Sequence, residues 1–249
     1  MNDKAEKYIE LVQSVKQKYK YNQDDETSKF IWCDLENDED LCKEINLWTY
    51  WQGWNYAENT PKIKYLLIGQ DFGPSAKEEK KGTIANVRRL NSGEDTAMFQ
   101  DNVNLDSRDA KTDKSLVELF EVIGYPSINE NRYSDLFFCN FCLGYRKHNY
   151  TGSFSKRDFI ADRQYIKELI DILEPEHIIC LGHDVSIETI RLLVNPNYPD
   201  KSMDELIAAN DISNYNGSII HPMANPGFWG VRNRGGIEKV IEDWKIIVE

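Results

Sequence analysis

The 249-residue chain contains no run approaching the roughly 18 apolar residues of a membrane span, so no membrane partner is expected. Its first residues, MNDKAEKYIE, lack the apolar core of a signal peptide, which points to the cytoplasm. Cysteine is sparse and odd in number: Cys33, Cys42, Cys139, Cys142 and Cys180. Only Cys139 and Cys142 are close, and a zinc or iron–sulfur centre needs a second close pair. The thiols therefore read as reduced and buried, and neither a metal cluster nor another cofactor is expected. No internal repeat is visible. A net charge of −12 counts against a partner held mainly by phosphate contacts over the whole surface.

Acid is also missing locally, where it matters more. Residues 23–44 hold nine acids, whereas residues 136–157 contain Arg146, Lys147, Lys156 and Arg157 and no acid. Residues 219–236 add Arg232 and Arg234, again without an acid. The overall charge conceals two basic loops.

What is present is an alternation. Residues 3–20 carry Ala5, Tyr8, Val12, Val15 and Tyr19 at helical spacing behind Asn2 and Asp3. Leu47, Trp48, Trp51 and Trp54 follow at similar spacing and read as the contact between residues 1–60, an N-terminal helical and acidic segment, and a main domain over 61–249. The polar stretch 75–114 reads as a long irregular insertion. Strands are predicted at 64–70, 135–141, 177–182 and 218–222. Ser115 and Glu118 form a capping-box pattern for a helix closed by Gly124. Ser155 is predicted to open a helix that ends at Pro175, and helices from about 184 and 236 follow the third and fourth strands. Apolar strands alternating with helices predict a parallel sheet covered on both faces.

Ligands of such sheets bind outside the carboxyl ends of the strands. There the chain places Gln70 and Asp71, then Asn140, then Gly182, His183 and Asp184, and finally His221 and Pro222. Each alone has an ordinary explanation, since Asn and Asp serve turns and caps. Together they mark a site.

The stretches GQDFGP (69–74), CNFCLG (139–144), CLGHD (180–184) and IIHPMANPG (219–227) resemble the uracil-DNA glycosylase superfamily over residues 61–249. Phe72-Gly73-Pro74 and the Asn225-Pro226 pair are most similar to the single-strand-selective monofunctional branch. The resemblance implies a three-layer α/β/α sandwich around a four-stranded parallel sheet. It implies a monomer that hydrolyses the N-glycosidic bond of uracil, or of a damaged 5-substituted pyrimidine, in DNA. The base must leave the stack to be reached.

Roles carried over are catalysis for Asp71 and His221, and base binding for Gln70, Phe72, Gly73 and Asn140. Asp71 would face the sugar and orient water, His221 would donate to the departing uracil oxygen, and the Asn140 amide would read the base edge. DNA contacts would come from Met223, Asn225, Phe228, Trp229, Arg232, Arg234, Arg146 and Lys147. Departures are plain: Gly73 stands where the narrowest members have a tyrosine, Met223 where they have a serine, and no aromatic follows Pro74 closely, leaving Phe72 or Phe99 to stack on the base. A non-catalytic module binding a base, nucleotide or DNA end stays open beside the enzyme, as does another hydrolase on the same scaffold.

Overall fold

Two alternating rows of apolar side chains on each strand decide the architecture. In YLLIG, Tyr65 and Leu67 join one buried cluster while Leu66 and Ile68 join another, and all four are at most 1% exposed. Strands buried on both faces need helices on both faces.

The fold is that of a computed structural model, which describes residues 3–20, 29–31, 62–71, 111–128, 133–146, 155–209 and 214–248. Its elements are α1 (Asp3–Lys20), β1 (Phe30–Ile31), β2 (Tyr65–Gly69), α2 (Lys111–Val122), β3 (Leu136–Asn140), β4 (Tyr145–Arg146), α3 (Lys156–Ile160), α4 (Arg163–Leu173), β5 (His177–Leu181), α5 (His183–Leu193), α6 (Met203–Ala208), β6 (Ile219–Met223), α7 (Phe228–Arg234) and α8 (Ile237–Lys245). Four strands form one parallel sheet in the order β3-β2-β5-β6, with Tyr65 level with Leu136 and His177, and His177 level with Ile219. β1 and β4 form a separate antiparallel ribbon.

One face of the sheet packs Tyr8, Leu11 and Val15 of α1 with Ile166, Leu169 and Ile170 of α4 and Val185 and Ile190 of α5. The other packs Leu119 and Phe120 of α2 with Val240 and Trp244 of α8. The result is the expected α/β/α sandwich with a helix at its N-terminal end. All four predicted strands are present within a residue or two of their expected ends.

Two helical expectations change. α2 already runs at Lys111, so Ser115 lies inside it and not at its start. Lys-Thr-Asp-Lys carries no breaker, and Asp113 suits a first turn. Gly124 does close it, at φ 92°, with the Tyr125 N–H donating to the Phe120 carbonyl at 2.9 Å. The single helix from Ser155 is two, α3 and α4, broken at Ala161 and Asp162 because the Asp162 side chain turns inward and is 1% exposed. It accepts from the Tyr19 hydroxyl at 2.5 Å, from the Leu143 N–H at 2.8 Å, and from Lys18. That carboxylate ties α1 to the loop leaving β3. The Trp48, Trp51 and Trp54 stripe and most of the 75–114 insertion lie outside the described residues.

Candidate functional site

Strand order fixes where a crevice opens. From β2 the chain moves to β3 on one side, then crosses to β5 on the other, so the loops leaving β2 and β5 diverge. At such a switch point the carboxyl ends part and leave room for a ligand. A cavity of about 350 Å³ lies there, lined by Gln70, Gly182, His183, Asn225, Phe228 and Trp229 among others. Gly182 takes φ 110°, which lets β5 turn sharply into α5 beside Asn225.

On the β3 side, pairing continues past the strand ends. The Phe141 N–H donates to the Gly69 carbonyl at 2.8 Å and the Cys142 N–H to the Gln70 carbonyl at 3.0 Å. This holds Gly69-Gln70-Asp71 alongside Asn140-Phe141-Cys142. Asn140 is 6% exposed, with its amide oxygen directly over Gly69. Among the described residues that amide makes no side-chain hydrogen bond. Asp71 is half-buried, and its carboxylate is close enough to Cys142 to act on it: burial first, then Asp162, Asp71 and Asp158, push that thiol up.

The β6 side differs from expectation. His221 and Pro222 lie within the strand, as predicted, but β6 runs on to Met223, so His221 is mid-strand, level with Ile179 and therefore with Leu67, and not at the carboxyl edge. Asp71 stands four residues further along, about 13 Å at the usual strand rise. The His221 ring instead meets His177, with Nε2 3.0 Å from Nδ1. Burial, then the neighbouring His177, pushes its pKa down to about 4. Of the residues expected to meet the base, Gln70 lines the cavity, whereas Asp71, Asn140 and His221 are not in its lining. The residue that reaches it from β6 is Asn225, whose Oδ1 accepts the Gly227 N–H at 2.8 Å and starts the turn into α7.

Two other expected DNA contacts are structural. Met223 is 2% exposed in the core beside α2 and α8. Arg234 pairs through Nε and a terminal nitrogen with the Asp243 carboxylate, at 2.5 and 2.9 Å, and also meets Asp204. Phe228 and Trp229 are as exposed as a contact surface requires, at 47% and 66%, and the Arg232 guanidinium lies over the Trp229 ring at 5.5 Å. Arg146 lies in β4 opposite Phe30. Phe72, Gly73, Phe99 and Lys147 lie outside the described residues.

The histidine at the crevice is His183. Its Nδ1 is 2.9 Å from Asp184 Oδ1, and its Nε2 is 2.8 Å from the Lys201 carbonyl. Both partners only accept, so the doubly protonated imidazolium satisfies both. Burial opposes the charge, but those hydrogen bonds outweigh it and hold the pKa above the ordinary value. The signal was in the sequence: Gly182-His183 directly follows an apolar strand, at the edge where ligands bind. Among the described residues no group of three His, Cys, Asp or Glu side chains is arranged to hold a metal ion, and no helix is long and apolar enough to cross a membrane.

No protein-family model matches the chain, and no curated protein matches it.

Proposed function

We propose that this protein is a monofunctional DNA glycosylase that hydrolyses the N-glycosidic bond of uracil, or of a 5-substituted uracil, in DNA. The observation that carries the reading is Asn140: a buried amide with no side-chain hydrogen bond among the described residues, beside Gln70 and Asp71 at the carboxyl edge. The described residues leave the donor and the acceptor of that amide unused, and a flipped base edge can take both.

In the reaction the C1′–N1 bond breaks with both electrons leaving on the base, and water adds to C1′. Positive charge develops on the sugar and negative charge on uracil. Asp71 stabilises the first and orients the water. The His183 imidazolium is the cation that the cavity offers to the second, in place of His221. Phe228, Trp229 and Arg232 present an aromatic and cationic surface to the strand on an otherwise acidic chain. The free buried thiols Cys139, Cys142 and Cys180 fit a reducing, cytoplasmic setting.

A second reading, a module that binds a base or DNA end without cleaving it, is favoured by the withdrawal of His221 and by the use of both His183 ring nitrogens within the fold. A gel assay for abasic sites in single- and double-stranded uracil oligonucleotides separates the two. Alkali-labile product supports the enzyme. Binding without product supports the module.

A further inference from the structure

A side chain on Gly69 has no room, and what occupies its place is Asn140. A Cβ built on Gly69 sits 2.5 Å from Asn140 Oδ1, a distance that real contacts do not show, while the next neighbour, Phe138 Cε2, is at 3.4 Å. Gly69 and Asn140 are level in the β2–β3 pair, and the amide carbonyl points its oxygen end-on at the glycine, with Asn140 Cγ 3.7 Å from the same built Cβ. The neighbouring row is shut by Phe138, itself 5% exposed.

We propose that Gly69 is a positioning residue that fixes which way round the Asn140 amide sits, and that this makes the site distinguish uracil from cytosine. The inference rests on the base-reading role of Asn140 proposed above. An amide is nearly symmetric in shape but not in hydrogen bonding, since one end accepts and the other donates. The edge of uracil pairs a donor, N3–H, with an acceptor, O4. Cytosine presents the reverse, an N3 acceptor and an amino donor. An amide free to turn over serves both bases; one held in a single sense serves one.

Gly69 supplies that hold in two ways. Its missing Cβ lets the amide approach the backbone closely, and its α-hydrogens favour an oxygen over an NH₂ group against them, through a weak C–H···O contact. Asn140 has no other side-chain hydrogen bond among the described residues to orient it.

The test is a four-variant cycle: parent, Gly69→Ala, Asn140→Ala and the double variant. Each is assayed for excision of, and binding to, uracil and cytosine in otherwise identical oligonucleotides, with melting temperature measured in parallel. Gly69→Ala is expected to lower uracil kcat/KM about tenfold or more and to shrink the preference for uracil over cytosine. It is expected to change neither activity nor melting temperature further once Asn140 is alanine, because the obstruction is gone. That second arm also answers the case in which Gly69→Ala alone folds poorly. A parent that neither excises nor binds either base overturns the base-reading function, and this inference with it. A parent that discriminates, with a Gly69→Ala variant that discriminates equally or a double variant in which the losses add, overturns only the inference.

Discussion

His177 Nδ1 and His221 Nε2 lie 3.0 Å apart across β5 and β6, joining the first residue of one strand to the middle of the next. One ring must donate and the other accept, so the contact needs at least one neutral imidazole. The His177 ring also stacks on Tyr65 at 5.0 Å between centroids, so three strands share one aromatic column. The histidine of the His-Pro sequence is thus a fastening for the outermost strand.

That fastening gives stability a pH dependence. Burial lowers the pKa of both rings, that of His221 to about 4, against an unfolded value near 6.5. Between those values the unfolded chain binds more protons, so the contribution is fully present above about pH 6.5 and lost as pH falls toward about 4. Urea midpoints across that window should fall with acidification, and His221→Gln should flatten the fall. Proton NMR should find His183 titrating above the ordinary histidine value and His221 far below it.

Arg232 and Arg234 should separate cleanly. Arg234→Ala strands Asp243, 3% exposed, without its main partner, and should cost about 3 kcal/mol in a denaturation curve. Arg232→Ala should leave that curve unchanged and reduce the salt slope of DNA binding by about 0.7–0.9. Equal stability losses in both would place Arg232 in the scaffold.

Asp71→Asn should lower single-turnover uracil excision by about 10²-fold or more while product binding changes little. His221→Ala should act on stability and leave turnover within a few-fold of the parent. A large turnover loss in His221→Ala at full stability would return that ring to the chemistry.

Asp162→Ala removes the acceptor for the Tyr19 hydroxyl, the Leu143 N–H and Lys18. Each buried donor left unsatisfied costs about 1–3 kcal/mol. The variant should unfold at markedly lower urea, and hydrogen exchange should quicken in both α1 and residues 141–144.

The sheet was legible because its strands are short unbroken apolar runs, such as Leu136-Phe137-Phe138-Cys139, bounded by breakers. Asn140, Gln70 and the crevice followed from strand ends and order. What was not legible depended on partners distant in sequence. Asp162 resembles any helix residue until Tyr19 and Leu143 are placed against it. Arg234 looks like a phosphate ligand until α8 brings Asp243 to it. Pro222 could be read into a strand despite breaking ladders, and the structure shows why it is tolerated there: β6 is an edge strand. The Ile219 N–H and the Met223 carbonyl bond toward β5, so the alternate positions Ile220 and Pro222 turn their backbones outward, where a missing N–H costs nothing.

The outward turn of Pro222 also bears on crowding. A sheet margin left open invites a strand from another molecule, the first contact of many aggregates. At β6 the outward positions Ile220 and Pro222 are both buried, and α6 packs against the strand. A newcomer would have to displace that cover before it met the Ile220 amide and, at the next outward position, a ring with no hydrogen to give.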